Sequence, residues 1–349
     1  MSNAQISLTA RQRVARLFSG ERPDRAAVLP QIGDHAGWVD GLTMDVIYHD
    51  PGAIARAHAK AYRDYQYDIA AIQVEPSWPV AEACGCTVTY PPDKCPWITD
   101  PVIKGPEDVR GVAVPDFEAH PATRTILEAT RLLKTEIGQE AMVAGYMTGP
   151  LTFALQLMPY NDFIVSVRKG PAFAEAVVRK ATNVARGFAE ALRDAGADLL
   201  VVCEHDLQMF APATMRRFSL PYLPEITSVF ARNVLHTCGK VEAHLIETAD
   251  ELCAVPNLQF VNFSNEVSIS RMAEIFGDGM GLCGNIDHIH LLPSATPDEV
   301  RAACRAAVSD GLQASAFMLA PGCEITIDTP PENVRAFVES ATLYGGYEG

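Results

Sequence analysis

The sequence has no run of apolar residues that approaches the ~20 residues needed to span a bilayer. Basic residues are scarce, since 28 lysines and arginines stand against 43 aspartates and glutamates, and the formal net charge is −15. A surface this acidic repels phosphate backbones and anionic lipids, which argues against general nucleic-acid binding. The first residues, 1–7, lack the basic and apolar regions of a secretory signal. We therefore expect a cytoplasmic protein without a nucleic-acid or membrane partner.

Other absences concern domain organisation and nucleotide motifs. No Gly/Ser linker or low-complexity tract divides the chain, so we treat residues 1–349 as a single domain. No Gly-x-Gly-x-x-Gly follows an early strand and no lysine-containing phosphate loop is present, which disfavours nucleotide-binding folds. The nine cysteines are an odd number. Without an export signal, they fit buried small side chains or metal ligands better than a set of disulfides.

What is present is a regular alternation of helical and strand patterns, clearest after residue 120. Repeated strand–helix–strand units predict a parallel sheet, and about eight units at this length favour an α/β fold of the (β/α)8 TIM barrel type. The N-terminal part adds helices and an irregular or hairpin-like stretch, 84–101. Strands are predicted over 68–74, 141–146, 199–203, 233–236, 258–262, 281–283 and 315–319, after a short apolar run at 26–30. Helices are predicted over 9–19, 51–65, 122–137, 172–195, 212–231, 241–252, 268–276, 297–310 and 331–343.

Chemistry in such a barrel takes place at the carboxyl ends of the strands. His236 and Cys238 are two residues apart at one predicted strand end, so their side chains can point the same way. Cys323 follows a Pro321-Gly322 turn at another strand end. Zinc prefers histidine and cysteine ligands, and three protein ligands leave a fourth position for water or substrate. These residues predict a zinc site; the alternative is two ordinary buried thiols and a loop histidine.

Further candidate residues follow other predicted strands, and each has a structural alternative. Glu204 begins a Glu-His-Asp segment that either orients a ligand or forms a charged loop. Asn285 and Asp287 either position substrate or stabilise a loop that also contains two histidines. Tyr146 ends a strand and is expected to line a cofactor or substrate pocket. A second cysteine group either binds metal or packs as thiols within a hairpin: Cys84, Cys86 and Cys95.

These residues resemble motifs of the uroporphyrinogen decarboxylase superfamily, in particular its corrinoid-dependent, zinc-containing methyltransferases. The resemblance covers nearly the whole chain and begins with residues 13–25. Its most specific segments are His236-Thr237-Cys238-Gly239, Gly284-Asn285-Ile286-Asp287 and Pro321-Gly322-Cys323-Glu324. It implies a (β/α)8 barrel in which His236, Cys238 and Cys323 are the zinc ligands.

The activities within this superfamily differ in their need for basic residues. A decarboxylase acting on a tetrapyrrole with many carboxylates needs arginines to hold them. Between Asp24 and Asp50, however, Arg25 is the only lysine or arginine. The chain also lacks the Asp-x-His-x-x-Gly segment with which corrinoid carrier domains supply a histidine to cobalt. The resemblance therefore implies methyl transfer with a separate corrinoid protein as partner, rather than decarboxylation.

The expected chemistry is attack by a zinc-bound thiolate on the methyl group of a methylated corrinoid (methylcobalamin or a relative), because zinc coordination deprotonates a thiol. Glu266 is either an exchangeable fourth zinc ligand or a charge stabilised by a helix N-terminus. The sequence does not identify the acceptor: coenzyme M, homocysteine, another small thiol and a folate stay open. Specificity is expected in the loops 31–38, 73–78 and 146–152. Three alternatives stay open: a methyl donor:corrinoid enzyme running in the opposite direction, a decarboxylase-like enzyme and a non-catalytic tetrapyrrole-binding protein.

Overall fold

The computed structural model of the protein describes residues 8–72, 76–92 and 94–347. The strands are β1 (Ala27–Val28), β2 (Ile69–Ala71), β3 (Thr87–Thr89), β4 (Trp97–Asp100), β5 (Met142–Thr148), β6 (Leu199–Glu204), β7 (Asn233–Thr237), β8 (Leu258–Asn262), β9 (Gly281–Ile286) and β10 (Phe317–Pro321). The helices are α1 (Ala10–Phe18), α2 (His35–Val39), α3 (Met44–His49), α4 (Pro51–Tyr65), α5 (Ser77–Ala83), α6 (Pro121–Ile137), α7 (Pro150–Leu157), α8 (Tyr160–Lys169), α9 (Pro171–Asp194), α10 (Pro212–Phe218), α11 (Leu223–Thr227), α12 (Glu242–Glu247), α13 (Ala249–Cys253), α14 (Ile269–Phe276), α15 (Pro297–Gly311) and α16 (Pro331–Tyr344).

Eight parallel strands form one sheet in the order β1-β10-β9-β8-β7-β6-β5-β2. The sheet curls round until its two edge strands face each other, where the Asp68 N–H donates to the Val28 carbonyl at 3.2 Å. Side chains pointing inward, including Leu29, Phe260 and Met318, form a buried cluster in the interior. The (β/α)8 TIM barrel is confirmed, and in such barrels the carboxyl ends of the strands carry the chemistry.

The seam between β1 and β2 is closed by a buried cluster of ion pairs. Arg13 pairs with Asp68 at 2.5 Å and with Asp24 at 2.7 Å, and Arg25 pairs with Asp68 at 2.8 Å. The second carboxylate oxygen of Asp68 also accepts the Val28 N–H at 2.8 Å. Charged groups tie the two edges where regular strand pairing stops, because each edge strand is only two or three residues long.

Two predicted helices are interrupted in the structure. The pattern over 212–231 forms α10 and α11 instead of one helix, because Pro221 lies between them and cannot continue a helical hydrogen-bond ladder. The pattern over 241–252 forms α12 and α13, where the Thr248 hydroxyl donates to the His244 carbonyl at 2.7 Å. Such a bond competes with the backbone and bends helices.

Other segments adjust the predicted organisation. The stretch 84–101 contains the antiparallel hairpin β3–β4, which confirms the hairpin expectation. The strand predicted over 68–74 is Ile69–Ala71; residues 73–74, like 1–7 and part of the loop 73–78, lie outside the described residues. Helices α7 and α8 fill a region to which the sequence patterns assigned no element. Among the helices of the described residues, none has both the length and the apolar character required to cross a bilayer.

Candidate metal centre

Three side chains with metal-ligating atoms converge where β7 and β10 end. The Nε2 atom of His236 lies 2.9 Å from Cys238 Sγ and 3.5 Å from Cys323 Sγ. The two sulfur atoms are 3.1 Å apart. Within residues 8–72, 76–92 and 94–347, this is the only group of three or more His, Cys, Asp or Glu ligand atoms lying within 4.8 Å of one another. The Cys84, Cys86 and Cys95 set does not form such a group.

Close packing between the loops after β8 and β10 brings Cys323 to this position. A Cβ atom at Gly322 would lie 2.8 Å from the Cα atom of Ser264, so only glycine permits this approach. The Gly322 N–H also donates to the Ile286 carbonyl at 2.8 Å, which extends the β9–β10 pairing up to the residue before Cys323. The Pro-Gly turn noted in the sequence thus directs Cys323 towards the end of β7.

Asn262, at the end of β8, orients the histidine. Its Nδ2 atom donates to the carbonyls of Cys283 at 3.0 Å and Pro321 at 3.3 Å, which fixes the amide so that Oδ1 faces His236 Nδ1. Because a carbonyl oxygen can only accept, the histidine proton must reside on Nδ1. Nε2 faces the two sulfur atoms and would be the unprotonated ligand nitrogen when a metal ion is bound. Sequence reasoning missed Asn262, although it ends the strand next to that of His236.

Replacing Asn262 with alanine should weaken zinc binding by roughly 10- to 100-fold, the usual cost of removing a group that orients a metal-bound histidine. The affinity is measured by competition with a chelator of known zinc affinity. Asn233→Ala is the matched control, because Asn233 is equally buried and donates to three carbonyls at the start of β7. Equal zinc affinities of the two variants would contradict the role of Asn262.

The electrostatics of the cluster favour an ionised sulfur. The hydrogen bond from the Cys238 thiol lowers the pKa of Cys323 well below its ordinary value, and the neighbouring His236 acts in the same direction against the effect of burial. A thiolate is the form of cysteine that binds metal. One imidazole nitrogen and two sulfur atoms match the ligands of zinc, and three protein ligands leave a fourth position for an exogenous group. His236, Cys238 and Cys323 therefore fit a zinc ion.

The structure places Glu266 outside this cluster. Its side chain is 42% exposed and its Oε1 atom lies 4.0 Å from Lys240 Nζ. Asn285 supports the same loop, because its Nδ2 atom donates to the carbonyls of Ser264 at 3.3 Å and Val267 at 2.7 Å. Neither the fourth-ligand role of Glu266 nor a substrate contact of Asn285 is visible in this arrangement, and both stay predictions.

Glu204 holds a helix rather than facing the barrel mouth. It is fully buried, and its carboxylate accepts the Leu151 N–H at 3.1 Å, the Thr152 N–H at 2.9 Å and the Ser219 hydroxyl at 2.5 Å. A negative group at the N-terminus of α7 stabilises that helix. Both carboxylate oxygens are thus bonded to protein donors, and the cofactor-binding role expected from the position of Glu204 at a strand end stays a prediction.

Asp287 and His288 lie in the loop that follows β9. One carboxylate oxygen of Asp287 accepts the N–H groups of Ile289 and His290, each at 2.9 Å, and so holds the turn. Burial lowers the pKa of His288, while the charges of Cys323 and Asp287 act in the opposite direction. His288 thus lies close enough to the cluster for the charge of Cys323 to affect its pKa. A substrate contact of Asp287 stays a prediction.

The sequence is similar to several known proteins. The sequence model of the uroporphyrinogen decarboxylase (URO-D) family matches residues 9–344. The chain belongs to the uroporphyrinogen decarboxylase family. Methylcobamide:CoM methyltransferase MtaA of Methanosarcina barkeri is 31% identical over 274 residues, which cover 76% of this chain and 77% of that protein. Uroporphyrinogen decarboxylase of Syntrophotalea carbinolica is 24% identical over 267 residues, which cover 74% of each.

A solved methyltransferase from Methanosarcina mazei has the same fold, with a TM-score of 0.87 over 97% of this chain and 99% of its own at 24% identity. The methyltransferase MtaA shares more of this sequence than the decarboxylase does. This member of the uroporphyrinogen decarboxylase family is a methyltransferase.

Asp34 is a buried carboxylate that contacts Glu324, the residue after Cys323, and sequence reasoning did not assign it a role. Asp34 is buried and accepts the Tyr48 hydroxyl at 2.9 Å, while its own N–H donates to Glu324 Oε1 at 2.9 Å. Burial raises the pKa of Asp34 to about 6, and the hydrogen bond from Tyr48 only partly offsets this effect. Asp34 lies in the loop 31–38, in which specificity is expected, but nothing in the sequence shows that this aspartate is buried.

The raised pKa of Asp34 predicts a pH-dependent stability. The folded protein binds this proton more tightly than the unfolded chain, so stability is lost as the pH rises from about 4 through about 6. Asp34→Asn should therefore stabilise the protein by roughly 2 kcal/mol at pH 8, with little effect at pH 4. Urea unfolding at both pH values measures this, with the exposed Asp45→Asn as control. A stabilisation that is the same at both pH values would contradict the prediction.

Proposed function

We propose that the protein transfers a methyl group between a methylated corrinoid, carried by a separate protein, and a small thiol. The observation that carries the proposal is the convergence of His236, Cys238 and Cys323, with ligand atoms 2.9–3.5 Å apart at the carboxyl end of the barrel. The name of the relative MtaA, methylcobamide:CoM methyltransferase, supports both substrate classes.

The three ligands suit the activation of a thiol. A free thiol with a pKa of about 8.5 is mostly protonated at neutral pH, and zinc in this site would hold the acceptor sulfur as the nucleophilic thiolate. His236 presents its Nε2 lone pair because Asn262 accepts the proton of Nδ1. Cys238 and Cys323 supply two negative charges that offset the charge of the ion. The acceptor sulfur is then less strongly polarised than it would be beside neutral ligands only.

The methyl transfer needs no oxidant, reductant or other reactant besides the thiol and the methylated corrinoid. The acceptor sulfur forms a bond to the methyl carbon of the corrinoid substrate while the carbon–cobalt bond breaks, and the electron pair stays on cobalt, which changes from Co(III) to Co(I). The proton of the acceptor thiol leaves to solvent. The protein contributes the placement of the sulfur at the barrel mouth, where a separate corrinoid protein can approach.

The position of Arg25 weighs against a decarboxylase. Arg25 is the only arginine or lysine between Asp24 and Asp50, and it pairs with Asp68 at 2.8 Å in the β1–β2 seam. Its guanidinium also donates to the Ala26 carbonyl at 2.7 Å, before β1 begins and therefore at the opposite end of the barrel from the cysteines. This arginine is thus committed to the fold and not available to hold the carboxylates of a tetrapyrrole.

The proposal is tested first by the metal content of the protein purified without added metal. About one zinc per chain is expected from a three-ligand site. The second step follows the loss of methylcobalamin with coenzyme M, homocysteine, other small thiols and a folate, and the reverse reaction starts from cob(I)alamin and methylated donors. Less than about a tenth of an equivalent of zinc, not restored by added zinc, would overturn thiol activation. Faster reverse transfer would reassign the physiological direction.

A further inference from the structure

A small cavity lies inside the barrel at the seam between β1 and β2. Its lining includes the side chains of Gln31, His58, Tyr67, Ile69 and Tyr146. The cavity has a volume of about 10 Å³, at the lower limit of the roughly 10–15 Å³ that a single water molecule needs.

Three of the lining side chains have polar atoms without a hydrogen-bond partner within the described part of the chain. They are the Oε1 atom of Gln31, the hydroxyl of Tyr146 and both ring nitrogens of His58. The three residues are at most 2% exposed, so bulk water does not reach them. Buried polar atoms nearly always have partners, because leaving them unpaired is unfavourable. Three such groups around one cavity indicate a shared ligand.

The protonation states of the lining groups suit a molecule that both donates and accepts. Burial lowers the pKa of His58 to about 3, so its ring is neutral and offers one donor and one acceptor nitrogen. Gln31 Oε1 can only accept, whereas the Tyr146 hydroxyl can donate. A water molecule can donate to Gln31 and to His58 while it accepts from Tyr146, which gives it three of its possible partners.

Gln31 connects this cavity to the metal centre. Its Nε2 atom donates to Asn262 Oδ1 at 3.1 Å and to the Pro321 carbonyl at 3.1 Å, which orients the other end of the amide, Oε1, away from them. The same Asn262 oxygen accepts the proton of His236 Nδ1. An unbroken series of polar contacts thus runs from the cavity through Gln31 and Asn262 to the proposed zinc ligand His236.

We propose that the cavity binds one water molecule, and that Gln31 and Tyr146 act through this water as positioning residues for His236. The inference rests on the proposed metal site. It gives Tyr146, which lies within β5, a role inside the barrel, while the cofactor contact expected from its predicted place at a strand end stays a prediction. Loss of the Tyr146 hydroxyl frees the water and the Gln31 amide, and the Asn262–His236 pair then loses part of its fixed orientation.

The test compares Tyr146→Phe with Tyr67→Phe. Tyr67 lines the same cavity and is equally buried, but its hydroxyl faces the His58 carbonyl at 3.4 Å and has no link to His236. Tyr146→Phe is expected to weaken zinc binding by roughly three- to tenfold, less than loss of a direct partner of the histidine, and to shift the visible spectrum of the Co(II)-substituted protein. Tyr67→Phe should leave both unchanged, even if it lowers thermal stability.

Two outcomes would overturn the inference. One is a zinc-binding wild-type protein whose Tyr146→Phe variant has the same affinity and the same Co(II) spectrum. The other is a crystal structure of the zinc-loaded protein, at a resolution that shows ordered solvent, with no water between Gln31 Oε1 and the Tyr146 hydroxyl. If the wild-type protein binds no zinc at all, the proposed metal site fails instead, and a crystal structure of the metal-free protein, at the same resolution, decides whether the cavity holds the water.

Discussion

Cys323→Ser is expected to yield a folded protein that retains little zinc and transfers methyl groups at least about a hundredfold more slowly. Removing a group that merely orients a metal ligand commonly costs 10- to 100-fold, so loss of a ligand should reach at least the upper end of that range. A serine hydroxyl does not ionise near neutral pH and cannot replace a sulfur whose pKa lies well below its ordinary value. Cys238→Ser should behave in the same way, because the two sulfur atoms are 3.1 Å apart.

The matched control is Cys253→Ser, since Cys253 is a half-buried free thiol at the end of α13, on the outer layer of helices. This variant should keep the metal content and the transfer rate of the wild type. Metal analysis and methylcobalamin assays are compared at equal fractions of folded protein, measured by circular dichroism. Full transfer rates in both Cys238→Ser and Cys323→Ser would show that the acceptor is activated without these sulfur atoms.

Arg13→Met is expected to destabilise the fold by about 3–5 kcal/mol, the usual cost of removing one partner from a buried ion pair. Methionine keeps much of the packing volume but leaves the buried carboxylate of Asp68 without one of its two arginine partners. Among the described residues, β1 and β2 are not neighbours in the strand order, so regular strand pairing does not compensate. Urea unfolding at pH 7 measures the free energy of unfolding.

The same helix provides the control for this variant. Arg16 is half exposed and lies 3.8 Å from the exposed Glu21, so Arg16→Met should change stability by less than about 0.5 kcal/mol. Burial alone would raise the pKa of Asp24, but its hydrogen bond and ion pair with Arg13 outweigh burial and lower it. The stability from this pair is therefore present above about pH 4 and is lost as the pH falls through the lowered pKa. A destabilisation by Arg13→Met that does not shrink in acid would contradict this account.

The fold and the three proposed ligands could be predicted because their signals are local. Alternating strand and helix patterns are properties of short segments, and a parallel sheet follows from their order. His236 and Cys238 lie two residues apart, and Cys323 follows a Pro-Gly turn, so strand ends and spacing indicate them directly. Their meeting within 4.8 Å follows once eight parallel strands bring their carboxyl ends to one side.

Glu204 illustrates the limit of such reasoning. The carboxyl ends of barrel strands often carry functional residues. Whether a given side chain faces the barrel mouth, however, depends on which helix packs beside it. Glu204 meets the N-terminus of α7, a helix that the sequence patterns did not assign, and its carboxylate accepts two N–H groups there and the Ser219 hydroxyl. Glu266 follows β8 but lies outside the cluster, in a loop to which Asn285 donates, and its role as a fourth ligand stays a prediction.

The sequence by itself determined the barrel and the place of the three candidate ligands at the ends of its strands, because periodicity, strand ends and residue types are readable along the chain. Only the tertiary structure decided that Asn262 contacts His236 and Gln31 contacts Asn262, that Asp34 is buried beside Glu324, and that Arg13 helps close the seam. These contacts join residues up to 290 positions apart. They depend on strand register and on the packing of individual side chains, which local patterns do not encode.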